Sequence, residues 1–343
     1  MICILDKNYF RYSGRILEKD GASYLGFTNS MVEFYVMGTG DNSTVISANI
    51  GTHPNGEENE TRLKVFIDDS DVPAALLILH EESADYILAS FQDSEVHKIS
   101  LIKITEAAMS HAKLNVVNVT NGEIIPLPSS EDNRIKVEFI GDSITCGYGV
   151  YGDPDSEYHI KNEDGMVSYA ALTANSLRLN ARYFSVSGFG VYVRYDGDPE
   201  GIITKVYPYT NFFVDETIKY NFNDFVPDLV VINLGTNDSG HLENEDIQNG
   251  FISNYVGLLK FIKSYAPNCK ILCICGTLCT NAFSYIDSAI KLATKTGLTG
   301  LYTFELSYHD VEKDGMASGH PSLITHQKDA ELLTAKIKDI ISL

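Results

Sequence analysis

From about residue 10 to 125, apolar and polar positions alternate with a period of two, in short runs split by turn residues, as half-buried strands do. The runs are Met31–Met37, Ser43–Ile50, Arg62–Asp68, Ala75–His80, Tyr86–Ser90, His97–Thr105 and Leu114–Val119. Val32, Phe34 and Val36 share one face of the first, and Leu63, Val65 and Ile67 lie opposite Lys64 and Asp68 in the third. Punctuation comes from Gly38–Asn42, Gly51–Glu60 and Asp69–Asp71. About seven strands at this spacing predict two packed antiparallel sheets, a sandwich or barrel.

The period changes past Ile124–Asn133, a polar connector bearing proline and serine, which predicts a boundary there. Beyond it, apolar strands at Ile135–Ile140, Ala181–Val186, Asp228–Leu234, Lys270–Cys275 and Leu301–Phe304 alternate with helical stretches. The helices are predicted near Met166–Leu179, Asp246–Tyr265 and Ala282–Thr296, with a last one from Pro321. Such alternation predicts an α/β fold, a mainly parallel sheet with helices on both faces. The expected division is an all-β domain over residues 1–128 and an α/β domain over 129–343.

In a sheet of that kind, reactive groups collect in loops beyond the carboxyl ends of the strands. Ser143, in Gly141-Asp-Ser-Ile-Thr-Cys-Gly147, follows the first strand and opens a helix, where free backbone amides can face a developing anion. Gly188 follows the second strand, and Asn237, in Gly235-Thr-Asn-Asp238, follows the third; a backbone amide and a side-chain amide are both suited to an oxyanion. His320 precedes Pro321, which suits the first turn of a helix, and its imidazole can serve as a base. Each has an ordinary alternative: a capping serine, a turn glycine, an Asx turn, a loop histidine. Their convergence on one sheet edge favours chemistry. Tyr148, Tyr192 and Tyr195 flank these loops and offer flat aromatic faces on which a substrate ring could stack, with core or surface packing as the alternative, and His241 can line the same cleft.

The 343 residues suffice for two cores, and 44% hydrophobic with 21% charged residues excludes a disordered chain. A net charge of −20 disfavours nucleic acid and anionic membranes as partners. The longest apolar runs, such as Ala74–Leu79, fall far below the roughly 18 residues of a membrane span. The apolar start of Met1–Lys7 is too short for a signal peptide, so a cytoplasmic location is expected. Cys269, Cys273, Cys275 and Cys279 read as small buried hydrophobes rather than disulfides or metal ligands. His309, His320 and His326 lack the carboxylates and spacing of a zinc site, so neither a metal nor a cofactor is expected. Subunit number stays open, a homo-oligomer being compatible with an apolar patch or β-edge.

The four segments, GDS, SG, GTND and HP, in that order, resemble the motif blocks of the SGNH/GDSL hydrolase superfamily over about residues 134–343, and the competing GxSxG elbow is absent. With an all-β domain ahead of it, and with Phe139–Gly149 and His320–His326, the chain resembles family 2 of the carbohydrate esterases. That resemblance implies a three-layer α/β/α SGNH domain preceded by a jelly-roll sandwich. It also implies removal of acetyl groups from acetylated xylan, glucomannan or their oligosaccharides, with Ser143 as nucleophile, His320 as base, and Gly188, Asn237 and the Ser143 amide as the oxyanion hole. The superfamily commonly has an acid three residues before the histidine, but Ala317 stands there. A Ser–His dyad steadied by a backbone carbonyl is the expected substitute, with recruitment of Asp314 as the alternative. Other readings are a lipid esterase or thioesterase of the same superfamily and a noncatalytic carbohydrate-binding protein.

Overall fold

Alternating burial along Thr44–His53 and Thr61–Ile67 gives each strand one dry face, and two antiparallel sheets close those faces over a shared core. The structure, a computed structural model, describes residues 3–54, 56, 60–129 and 132–341. Of the segments singled out above, Met1 and Ile2, positions 55 and 57–59 of the Gly51–Glu60 turn, and positions 130 and 131 of the connector lie outside the described residues. The chain divides into two compact units: Met1–Asp132 with Phe213–Asp215, and Asn133–Phe212 with Glu216–Leu343.

In the first unit, one sheet orders β1 (Arg11–Ser13), β4 (Met31–Gly38), β9 (Val96–Lys103), β6 (Thr61–Ile67) and β7 (Ala75–Leu79), with β11 (Gly122–Ile125) also paired to β4. The other orders β2 (Ile16–Lys19), β3 (Ala22–Leu25), β10 (His111–Thr120), β5 (Thr44–His53) and β8 (Ala84–Phe91). Val32, Phe34, Leu63, Val65 and Ile99 from one sheet meet Ile46, Ala48, Leu88 and Leu114 from the other. The strands β1, β2, β3 and β11 add to the predicted set. At three or four residues each, they are too short to display a period. The segment 213–215 joins this unit through an ion pair of Lys19 Nζ with Asp215 Oδ2 at 2.8 Å and through Val214, which packs on Leu17, Ala22 and Tyr24.

In the second unit, β12 (Lys136–Gly141), β13 (Asn180–Ser185), β14 (Leu229–Asn233), β15 (Lys270–Thr277) and β16 (Leu301–Tyr308) form a parallel sheet in the order β13-β12-β14-β15-β16. The short α1 (Ser143–Cys146) follows β12. On one face, α2 (Tyr169–Ser176) and α7 (Leu323–Ile341) bury Tyr169, Ala170, Leu333 and Ile337 against Val137, Phe139, Val231 and Leu272. On the other face lie α4 (Glu245–Tyr265) and α5 (Phe283–Lys295), packed on each other, with the shorter α3 (Ile203–Val206) and α6 (Val311–Asp314) in the connections. The result is a three-layer α/β/α domain.

Several boundaries depart from expectation, and the strand expected at Leu301–Phe304 runs on to Tyr308. The helix predicted near Met166–Leu179 begins only at Tyr169, because Ser168 caps it by accepting from the Ala171 N–H. The last helix begins at Leu323 rather than at Pro321; His320–Pro321 is instead a two-residue strand, β18, paired with β17 (Met316–Ala317). The four crowded cysteines are buried and free. Among the described residues no helix is long and apolar enough to cross a membrane.

Candidate active site

At the end of β12 the chain turns directly into α1, and Asp142 takes the capping position, its Oδ1 accepting from the Ile144 N–H at 3.1 Å. Since the cap is Asp142, the hydroxyl of Ser143 is left for another partner. His320 Nε2 lies 2.9 Å from Ser143 Oγ.

The histidine reaches this point by way of the β17–β18 hairpin. Ser318 and Gly319 take positive φ values of 48° and 69° at its tip, which returns the chain on itself and sets the Ser318 carbonyl 3.2 Å from His320 Nδ1. Nδ1–H donates to that carbonyl, so Nε2 is the acceptor that faces the serine hydroxyl. Ser322, not Pro321, precedes the helix, and its Oγ accepts from the Thr325 N–H. The hairpin tip is seated on glycines: a Cβ on Gly149 would lie 2.6 Å from Ser318 Cβ, and one on Gly152 2.0 Å from Ser318 Oγ. Side chains at either position would push the hairpin, and with it the imidazole, away. Burial lowers the His320 pKa from its ordinary 6.5, while the bond to Ser318 opposes that shift.

Asn237 and Gly188 are joined through Phe189. The Asn237 Nδ2 donates to the Phe189 carbonyl at 3.0 Å and, less closely, to Asp142 Oδ2 at 3.3 Å. Gly188 has a φ of +76° and lies under the ring of Tyr195, where a Cβ would come within 3.1 Å of Tyr195 Cδ1. Tyr195 is 62% exposed, its N–H donates to the Gly188 carbonyl, and its own carbonyl meets His241 Nε2 at 3.0 Å. His241 therefore pins the loop that carries Tyr195.

Two buried carboxyls behind these loops were not singled out from the sequence, although both stand inside the quoted motifs. Asp238 Oδ2 accepts from the Val191 N–H at 2.9 Å, and its Oδ1 from the Tyr192 and Val193 N–H groups at 2.8 and 3.0 Å. It thereby ties the Asn237 loop to the segment that follows Gly188. Burial raises its pKa, and the three amides oppose the rise. Burial also pushes Asp142 up to about 7, with the Ile144 amide opposing.

Some expected partners are elsewhere. The Asp314 carboxylate is taken by Lys328 Nζ at 2.5 Å rather than by the histidine, so a third triad member from that position is not what orients His320. The Tyr192 ring lies over Gly250 of α4, where a Cβ would approach it to 2.3 Å. Tyr148 is at the site but is occupied on both sides: its ring is 4.2 Å from that of His320 and 3.9 Å from that of Tyr158. The sequence signal for these tyrosines was proximity to the motif loops, which says nothing of where each ring points.

Comparison with known proteins adds to this geometry. Residues 139–295 match the GDSL-like Lipase/Acylhydrolase family, and residues 12–128 match the Carbohydrate esterase 2 N-terminal family. The chain is 29% identical over 335 residues to the cellulase/esterase CelE of Acetivibrio thermocellus, covering 96% of this chain and 39% of that protein. It is 26% identical over 225 residues to an acetylxylan esterase / glucomannan deacetylase of Cellvibrio japonicus, covering 62% of this chain and 59% of that one. The chain thus spans less than two thirds of either relative's length. Among solved structures, a family two carbohydrate esterase from Clostridium thermocellum in complex with cellohexaose aligns with a TM-score of 0.86 at 29% identity, covering 97% of this chain and 99% of that one. The acetyl xylan esterase Est2A from Butyrivibrio proteoclasticus aligns with a TM-score of 0.85 at 21% identity, covering 98% and 96%, and shares the fold.

Proposed function

We propose that this chain, whose residues 12–128 match the Carbohydrate esterase 2 N-terminal family and whose residues 139–295 match the GDSL-like Lipase/Acylhydrolase family, is a family 2 carbohydrate esterase that removes O-acetyl groups from oligosaccharides of the acetylated xylan or glucomannan type. The observation that carries this reading is the 2.9 Å contact of His320 Nε2 with Ser143 Oγ at the start of α1. Relatives named for acetylxylan and glucomannan deacetylation support the substrate class.

His320 Nε2 takes the Ser143 proton as Oγ attacks the acetyl carbonyl carbon. The oxyanion is received by the Ser143 and Gly188 amides and by the Asn237 Nδ2, which exchanges its longer contact with Asp142 for the new charge. Collapse breaks the bond to the sugar oxygen, which leaves with the proton returned by His320. Water then attacks the acetyl-serine, giving its proton to His320, and acetate departs as Ser143 is reprotonated. A neutral imidazole is required at the first step. Activity is therefore expected to hold above the His320 pKa and fall below it, with the midpoint of the acidic limb of kcat/KM under 6.5. A limb centred above 6.5 on 4-nitrophenyl acetate would contradict a base desolvated in this way.

Asp314→Asn is expected to keep turnover within about threefold, whereas loss of an orienting triad carboxylate costs roughly 10⁴-fold. A drop of that larger size in steady-state kinetics would return Asp314 to the machinery. The reading as a whole is tested by mass and NMR analysis of products from acetylated xylo- and manno-oligosaccharides. Released acetate is the expected result; hydrolysis of long-chain esters alone would indicate a lipid esterase, and binding without release a carbohydrate-binding protein.

A further inference from the structure

Each half-reaction places a positive charge on His320, and among the described residues no carboxylate is hydrogen-bonded to it, the Asp314 oxygen being on Lys328. What lies against the imidazole is an aromatic face. The Tyr148 and His320 ring centroids are 4.2 Å apart with the planes inclined at 38°, well short of edge-on. Tyr158 stacks on Tyr148 at 3.9 Å and 15°, and two rings this close to a third take its two opposite faces. The stack is anchored at both ends: the Tyr148 N–H donates to the Ser143 carbonyl at 3.1 Å, and the Tyr158 hydroxyl donates to Glu163 Oε2. Tyr148 is thus tied to the nucleophile's own turn while its ring leans on the base.

We propose that Tyr148, backed by Tyr158, is a positioning residue for His320: its ring holds the imidazole in line with Ser143, and its electron-rich face attracts the imidazolium, supplying part of what a triad carboxylate would. Cation–π attraction of this kind strengthens where water is excluded. Among the described residues the imidazole is hydrogen-bonded to Ser143 Oγ and the Ser318 carbonyl, and His326, which interacts with it electrostatically, has a pKa lowered by burial to about 3 and stays neutral.

This inference rests on the esterase reading for its kinetic consequence but not for its physical one, and the test uses both. Three versions of the full chain are compared: wild type, Tyr148→Phe, and 3,4,5-trifluorophenylalanine at position 148, which keeps the shape of the ring and depletes its face. With 4-nitrophenyl acetate, Tyr148→Phe is expected within about threefold of wild type. The fluorinated variant is expected to lose a further 3- to 30-fold in kcat at nearly constant KM. NMR titration of the His320 imidazole is expected to give a lower pKa in the fluorinated variant than in Tyr148→Phe. Equal kcat and equal pKa in the two variants would overturn the proposal, reducing Tyr148 to packing. So would a rise in KM for acetylated oligosaccharide with kcat unchanged, the mark of a sugar platform. If wild type hydrolysed no acetyl ester, the esterase reading would fall while the titration still decided the ring contact.

Discussion

Ser143→Ala is expected to lose roughly 10⁴- to 10⁶-fold in kcat on an acetyl ester, with KM little changed and the fold intact. The change removes one oxygen from a side chain that does not cap its helix, since Asp142 does so, and alanine is a good residue within a helix. A serine that merely opened α1 would leave turnover standing. His320→Ala is expected to cost about as much, and the double variant little more than either single one, because an alcohol without its base and a base without its alcohol fail at the same step. Steady-state rates on variants purified free of host esterase provide the check. Wild-type turnover by Ser143→Ala would end the assignment, whereas two large and additive losses would mean that the residues act separately.

Asn237→Ala is expected to lower kcat by about 10²- to 10³-fold, the cost of one oxyanion donor, again without much effect on KM. Its amide is already oriented by the Phe189 carbonyl, so little reorganisation is required when charge develops on the substrate. The competing role is structural, a strut between Asp142 and the Phe189 loop. A strut would show itself differently: its loss would loosen the segment that holds Gly188 and Tyr195, raise KM on oligosaccharides and lower the melting temperature. Measuring kcat, KM and thermal unfolding together separates the two, and a KM-only effect would remove Asn237 from the oxyanion hole.

Strand-period segments of the first unit, such as Met31–Gly38 and Thr61–Ile67, were legible because burial on one face enforces the alternation of apolar residues. The same was true of the parallel sheet, whose strands are apolar runs between amphipathic helices. The short strands at Arg11–Ser13, Ile16–Lys19 and Ala22–Leu25 were not, since a strand of three or four residues contains barely one full alternation. Nor was the attachment of 213–215 to the first unit, which depends on Lys19 and Leu17 far back in the chain.

The candidate site divides along the same line. Ser143, Asn237 and His320 were visible as residue types in loops at strand ends, a consequence of local patterning that any parallel α/β sheet imposes. Sequence alone therefore determined which groups stand at the rim, and the absence of an acid at position 317. Only the tertiary structure decided what orients the imidazole. That outcome depends on the positive φ of Ser318, on Gly149 and Gly152 admitting the hairpin tip, and on Lys328 withdrawing the Asp314 carboxylate. The fates of Tyr148, Tyr192 and Tyr195, set beside His320, Gly250 and Gly188 respectively, were decided there too. A side chain's partner is settled by contacts between distant segments, and a periodic pattern encodes the face on which a residue lies but not the atom it meets.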